Sequence, residues 1–333
     1  MISQRLRLIV RPPLFPPGKG GMKRGAKGTG ISVLLSLLTI LIIISPPLYA
    51  EQIEIGVIRN SEIIVRFEKP LKNAAEEVEE IYPDIKAGLE KTIGWKVTFR
   101  PTVLLIKESK TFRKMAGNNQ FVAFAVPRKN LIVIDYSKMK THPFTLGITL
   151  RHELCHLLLH HYIREENLPR WLDEGISQWV SGGIAEIIMD TKRSPLKDAA
   201  LSGRFIPVSA LTERFPKEGK SLLLAYEESK SIVEYMGREY GRNGVLKLLK
   251  NLRDGDDVDA AIQKAFKTTL QELEIKWHKQ LGKRITWVTY LSGNLYELLF
   301  FLAALITIAG FIRLLMKKRN YKDDDDDDDY YEE

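Results

Sequence analysis

Two histidines and a glutamate stand close together in the string RHELCH, residues 151–156. On a helix, His152 and His156 project about 40° apart and one turn along the axis, because successive residues turn by about 100°. Two imidazole nitrogens in this arrangement can bind one tetrahedral metal ion such as Zn²⁺. Glu153 falls on the same side, where a carboxylate can take a proton from an attacking water. The string therefore predicts a hydrolytic zinc site.

The residues around this string predict the helix that the site requires. Five leucines fall within an arc of roughly 120°, well away from the two histidines, so one face should pack into a core while the other meets the metal. Thr145 is the expected N-cap. The five leucines are Leu146, Leu150, Leu154, Leu157 and Leu158.

A second element, WLDEGIS at residues 171–177, supplies a third ligand. Glu174 lies eighteen residues after His156 in a segment that has the pattern of a helix start. Two imidazoles and one carboxylate leave a fourth position open, which is the catalytic arrangement of zinc, whereas a structural site is usually closed by thiolates. Gln178 is either a group that orients a ligand or a surface amide.

With these two motifs the chain resembles the gluzincin metallopeptidases, and among them the peptidase MA-like domain. The resemblance implies His152, His156 and Glu174 as zinc ligands and Glu153 as general base. It extends to a later helix around residues 225–241, where Tyr226 is a candidate donor to the tetrahedral oxyanion. A tyrosine on such a helix can equally be an ordinary core or surface residue. The metzincin motif is excluded, because residues 159 and 162 are Leu and Tyr instead of Gly and His.

Two other residues near the motif are expected to play no part in the metal site. Cys155 is the only cysteine, which excludes an intramolecular disulfide, and it is interpreted as a small buried thiol that is poorly aimed at the metal. His160 lies about 12 Å along the helix from His152, too far to share an ion with it.

The segments before the motif predict an α+β pattern that leads into the zinc helix. The resemblance implies a zincin-like domain with a small mixed sheet. Residues 121–126 are either an edge strand that holds an extended peptide or an interior strand. The predicted strands are 63–67, 103–106, 121–126 and 131–135, and the predicted helices are 71–91 and 111–115.

The segments after the motif predict a helical lobe. Residues 191–207 are expected to form a loose connection, and helices are expected at 221–241, 244–252 and 258–281. The DGDD sequence at 254–257 lacks the later glutamate of an EF-hand, so it is interpreted as a helix-capping turn.

Both ends of the chain have membrane-related patterns. Residues 1–50 combine seven Lys and Arg, an apolar stretch and a small residue at Ala50, as in a signal peptide, for which Met22 is the expected true start. An uncleaved anchor is the alternative. Residues 295–316 are long and apolar enough to cross a bilayer and contact lipid. The basic residues that follow should face the cytoplasm. The aspartates at 323–329 should form a disordered tail.

The patterns divide the chain into a signal peptide, an α+β part, a part with the zinc helices and helical lobe, a juxtamembrane and transmembrane segment, and a basic and then acidic cytoplasmic tail. In the same order, the signal peptide is 1–50, the α+β part is 51–141, the part with the zinc helices and helical lobe is 142–284, the juxtamembrane and transmembrane segment is 285–316, and the tail is 317–333. Of the net charge of +8, residues 1–50 contribute +7, residues 313–333 contribute −4 and the middle of the chain contributes +5. The middle of the chain has no basic motif with interleaved aromatics, which argues against nucleic-acid binding.

The expected function is that of a zinc-dependent endopeptidase, anchored in the cytoplasmic membrane with its catalytic domain outside. Its expected partners are a peptide or protein substrate near the membrane surface and membrane lipid. A zinc-stabilised scaffold without catalysis and an amidase acting on cell-wall peptides are the alternatives. The retained Glu153 argues against the scaffold, because a scaffold needs no general base.

Overall fold

The computed structural model describes residues 54–117, 120–139, 144–183, 194–284 and 294–325, with side chains through Met316. The predicted signal peptide at 1–50 and the last aspartates lie outside these residues. Five strands and ten α-helices lie within them. The strands are β1 Ile55–Arg59, β2 Ile64–Glu68, β3 Thr102–Ile106, β4 Ala123–Val126 and β5 Leu131–Asp135.

The helices before and within the motif region are α1 Lys72–Ile93, α2 Ser109–Ala116, α3 Leu146–Tyr162 and α4 Arg170–Ser181. The later helices are α5 Pro195–Ser202, α6 Gly219–Glu239, α7 Gly241–Arg253, α8 Val258–Phe266, α9 Leu270–Arg284 and α10 Leu295–Asp325. The α+β fold class predicted from the sequence is confirmed.

The five strands form one mixed sheet in the order β1-β2-β3-β5-β4. The inner pairs β2-β3 and β3-β5 are parallel, and the outer pairs β1-β2 and β4-β5 are antiparallel. β4 therefore lies at an edge of the sheet, which decides between the two interpretations of residues 121–126 in favour of the edge strand.

Side chains alternate across β4, so its two faces meet different cores. Ala123 and Ala125 belong to the main core, which also contains the buried residues of α1, α3 and α4. Phe124 packs on the other face with Phe112 of α2 and Val133 of β5. The small alanines leave room for α3 to pass close to the edge of the sheet.

The zinc-motif helix α3 begins as predicted, because the Thr145 hydroxyl accepts a hydrogen bond from the Ile148 amide at 3.3 Å. From residue 149 to 159, every side chain except that of Arg151 is buried. The five predicted leucines are among the buried residues. The polar face of this helix is thus buried too, so the histidines lie inside the protein instead of on its surface.

Two features of the later segments differ from the sequence predictions. Residues expected to form a loose connection include α5, which Ser194 caps through the Lys197 amide and Gly203 ends. The single helix expected at 258–281 is broken at Lys267, which has a left-handed φ of 59°. The break is followed by a capping box, in which the Glu272 amide donates to the Thr269 hydroxyl and the Glu272 carboxylate accepts from the Thr269 amide.

The apolar segment near the C-terminus forms the first part of α10. Within the described residues, Leu295–Met316 is the one stretch with the length and composition of a membrane-crossing helix, and none of it is buried. The helix continues to Asp325, so it includes the first three aspartates of the run that was expected to be disordered. The remainder of that run is outside the described residues.

Candidate metal centre

The predicted motif brings two imidazoles together on α3. His152 is fully buried and His156 is 6% exposed. Their Nε2 atoms are 3.1 Å apart, as expected for residues one helical turn apart whose rings face the same point. Both nitrogens therefore converge on one position.

Glu174 of α4 completes a triangle with these nitrogens. Its Oε2 atom lies 3.8 Å from His152 Nε2 and 3.5 Å from His156 Nε2. Ligands bound to zinc at about 2.0–2.1 Å in tetrahedral geometry are separated by about 3.4 Å, so the triangle fits such an ion. The three ligands predicted from the sequence thus lie together. Among the described residues they form the group of His, Cys, Asp and Glu side chains that could hold a metal ion.

The hydrogen bonding of Glu174 gives an independent test of this fit. Its Oε1 atom accepts a hydrogen bond from the Tyr226 hydroxyl at 3.2 Å. Its Oε2 atom is buried and has no hydrogen-bond partner within the part of the chain that the structure describes. A buried carboxylate oxygen without a partner is costly. A divalent cation at the centre of the triangle would remove that cost.

Glu174 is positioned by a close contact between α4 and α6. A Cβ atom at the next residue, Gly175, would lie 2.3 Å from the Ser229 carbonyl oxygen and 2.7 Å from Val233, so only glycine permits this approach. Gln178 donates a hydrogen bond to the Tyr226 carbonyl at 3.1 Å. Its amide therefore joins the two helices and is neither a surface group nor a direct partner of a ligand.

Asp173 is a part of the site that the sequence interpretation missed. The Nδ1 atom of His156 donates to Asp173 Oδ1 at 2.8 Å, which leaves Nε2 free to face the triangle. The other oxygen of Asp173 lies 3.0 Å from His160 Nε2. His160, which was expected to play no part in the metal site, thus supports a ligand indirectly through Asp173. A carboxylate that orients a metal-binding histidine in this way is a common feature of zinc sites.

Burial and charge shift the pKa values of these groups in opposite directions. Burial alone would lower the pKa of His156, but the charges of Asp173 and Glu174 raise it well above its usual value. Burial alone would raise the pKa of Asp173, but His156 and His160 hold it well below its usual range. Burial is the main reason that the pKa of Glu174 is raised, and nearby His156 and Arg170 oppose this shift. The charges of His156, Asp173 and Glu174 thus influence one another. A cation at the triangle would favour the ionised form of Glu174.

Two further residues named from the sequence lie beside the triangle. Tyr226 is fully buried, its ring contacts Phe215, and its hydroxyl binds Glu174. Cys155 is also fully buried, and burial raises the pKa of its thiol to about 12. The buried-thiol interpretation agrees with this position, because a thiol with so high a pKa is a poor metal ligand at neutral pH.

A cleft of about 820 Å³ opens beside these residues. Glu153, His156, Glu174 and Tyr226 border it, and Phe124 and Ala125 of the edge strand β4 line one side. A second cavity of about 540 Å³ shares four lining residues with it and extends the groove past the C-terminal end of β4. The shared residues are Ala125, Pro127, His160 and Glu165. The groove can therefore hold an extended ligand beside Glu153.

Two solved structures are partially similar to this chain. Yeast LTA4 hydrolase has 14% sequence identity and a TM-score of 0.42, over 74% of this chain and 42% of that chain. Aminopeptidase A from Legionella pneumophila has 15% identity and a TM-score of 0.37, over 68% of this chain and 27% of that chain. This chain thus spans less than half the length of either protein.

No curated protein matches the sequence. A comparison with protein families gives a match over residues 115–283. This range includes α3, α4 and α6 and therefore all three residues of the triangle. This match covers just over half of the chain and agrees with the resemblance noted from the two motifs. It supports a metallopeptidase with a site for a divalent metal. The chain belongs to the Peptidase MA superfamily.

Proposed function

We propose that this protein is a membrane-tethered zinc endopeptidase. The observation that carries the proposal is the triangle of His152, His156 and Glu174, in which a buried carboxylate oxygen has no hydrogen-bond partner among the described residues. In this proposal the three residues hold Zn²⁺. The bound ion would polarise the scissile carbonyl and make a water molecule more acidic.

In the proposed mechanism, Glu153 accepts a proton from the attacking water and delivers it to the leaving amine. Its position on α3 between the two histidines, at the border of the cleft, supports this role. Asp173 keeps the His156 ring in the orientation that the triangle requires. Tyr226 serves as the donor of a hydrogen bond to the oxyanion. Its hydroxyl, which donates to Glu174 in the structure, changes partner and donates to the developing negative charge of the substrate.

Cleavage within a peptide chain is supported by the shape of the groove. The cleft is lined by Phe124 and Ala125 of the edge strand β4 and continues into the second cavity past Pro127. A peptide can add to such an edge as a further strand and be held by its backbone. An enzyme that removes single terminal residues needs a groove that is closed on one side of the metal.

Membrane attachment is proposed from α10. Its first 22 residues, Leu295–Met316, are mostly apolar and none of them is buried, which is costly in water and favourable in lipid. The sequence places Lys317, Lys318 and Arg319 directly after this stretch, and such clusters remain on the cytoplasmic side. The catalytic part is then extracytoplasmic, and its substrates lie at or near the membrane surface.

The test is peptide cleavage by the zinc-loaded full chain in detergent, compared with Glu153→Gln. We expect the variant to bind one zinc ion per chain and to lose cleavage by a factor of roughly 10²–10⁴, because general base catalysis typically contributes that much. Glu228→Gln is a matched control, since it changes a buried glutamate that does not line the cleft. Cleavage that persists in Glu153→Gln, or that a metal chelator does not affect, contradicts the proposed function.

A further inference from the structure

An apolar surface lines the metal cleft beside β4. It consists of Met115 from α2, Phe121 just before β4, and Phe124 within β4, and we call these three residues the apolar ridge. Met115 is 40% exposed, and the two phenylalanines are partly exposed. Large apolar side chains that stay exposed in a cleft commonly mark a binding surface.

The orientation of the ridge follows from the alternation of β4. Phe124 faces the α2 side of the sheet, whereas Ala123 and Ala125 face the main core on the α3 side. A peptide that adds to the open edge of β4 would continue this alternation, because adjacent residues of a strand point to opposite faces. Its side chains on the α2 side would then meet the ridge.

The ridge has a stable support. Phe124 packs on the buried Phe112 with ring centroids 5.6 Å apart. The side-chain amide oxygen of Gln120, next to Phe121, accepts a hydrogen bond from the Gly219 amide at the start of α6, the helix that also carries Tyr226. The hydrogen bond links the segment that carries Phe121 to the helix that carries Tyr226.

We propose that the apolar ridge is a specificity subsite that selects a large apolar substrate side chain near the scissile bond. This inference rests on the proposed function and narrows its substrate class to extended peptides that carry a residue such as Leu, Met or Phe close to the site of cleavage. Such a side chain covers the exposed parts of Met115, Phe121 and Phe124. Alanine is too short to do so, and aspartate would leave a charge against an apolar surface.

The experiment measures binding, so that it does not depend on turnover. The zinc-loaded full chain with Glu153→Gln, in detergent, is titrated against fluorescein-labelled peptides of roughly ten residues, each about 33 Å long when extended at about 3.3 Å per residue. The peptides consist of Ser, Thr and Gly and differ in one central residue, which is Leu, Ala or Asp. We expect the Leu peptide to bind about tenfold more tightly than the Ala peptide, a typical gain for several buried methylene groups.

The ridge variant is Met115→Glu in the same background. It should reduce the preference for Leu over Ala to about twofold or less, while Met115→Leu should keep it. Ile275→Glu is the matched control, because Ile275 is an exposed apolar residue on α9 that does not line the cleft. Zinc content and melting temperature verify that each variant is folded.

The outcomes separate this inference from the proposed function. If Leu and Ala peptides bind alike, or if the preference survives Met115→Glu, the ridge is not a subsite, even where the wild-type chain cleaves peptides. If the preference is present and is lost in Met115→Glu but not in Ile275→Glu, the ridge is a subsite. That result holds even if the wild-type chain shows no zinc-dependent cleavage, in which case the proposed function alone fails.

Discussion

Two buried glutamates on neighbouring helices differ in what surrounds them. Glu174 on α4 is 6% exposed and Glu228 on α6 is 1% exposed. Each has one oxygen that accepts a hydrogen bond, from Tyr226 in the first case and from the Ile206 amide in the second. Each has a second oxygen without a hydrogen-bond partner in the described part of the chain. By burial and hydrogen bonding alone they are equivalent.

Their charged neighbours distinguish them. Near Glu174 are two imidazole nitrogens within 3.8 Å. Near Glu228 the charged neighbours are the carboxylates of Glu274 and Glu227. Burial is the main reason that the pKa of Glu228 is raised to about 8, and these two carboxylates add to the shift. The charge of a buried carboxylate must be compensated. For Glu174 the arrangement favours a cation, whereas Glu228 keeps a proton.

The largest difference should be in metal binding. We expect Glu174→Gln to lower zinc affinity by more than about 100-fold, since even a change to an outer partner of a ligand costs 10–100-fold. Glu228→Gln should bind zinc like the wild type. Titration against a competing chelator measures both affinities. Equal affinities for the two variants would remove the distinction between the two glutamates.

The second difference should be in the pH dependence of stability. The folded-state pKa of Glu228 lies above the value of about 4.5 expected for an unfolded chain. As the pH rises from about 4.5 to 8, the Glu228 carboxyl loses its proton in the unfolded chain but keeps it in the folded protein. Glu228 therefore destabilises the fold increasingly over this range, and above pH 8 the effect is constant.

Glu228→Gln removes this contribution, because an amide does not titrate in this range. Relative to the wild type, its free energy of unfolding should rise with pH across this window by at most about 1.4 kcal/mol per pH unit. Urea unfolding at pH 5 and pH 8 measures the change. Parallel pH profiles for the two proteins would show that Glu228 is already ionised in the folded state.

The smallest expected effect concerns the contact between α4, which carries Glu174, and α6, which carries Glu228. Gly175 follows Glu174 and touches Ser229, which follows Glu228. Gly175→Ala should separate α4 from α6 and lower the free energy of unfolding by about 1–3 kcal/mol through overpacking. Gly147→Ala is the matched control, because that helical glycine has open space around it and its replacement should be neutral or stabilising. Equal unfolding free energies for the two variants, measured in urea, would contradict the role of this contact.

Local patterns in the sequence were sufficient for several elements of the fold. Strand β5 has the predicted bounds, and Thr145 caps the zinc helix as expected. Both results depend on neighbours in the chain, through the alternation of a strand and the first turn of a helix. Helix α5 was missed because it is short and mostly exposed, so no apolar periodicity marks it. The break at Lys267 could have been found from the capping box that begins at Thr269.

The sequence by itself determined which residues are available for metal chemistry, because the spacing of His152 and His156 on a helix places two nitrogens at one point whatever surrounds them. The approach of Glu174 within 3.5 Å of His156, the support of both His156 and His160 by Asp173, and the edge position of β4 were decided by tertiary structure. These contacts join segments that are distant in sequence or depend on how α4 packs against α3 and α6. The packing at Gly175 sets that arrangement, and no periodicity within a single element encodes it.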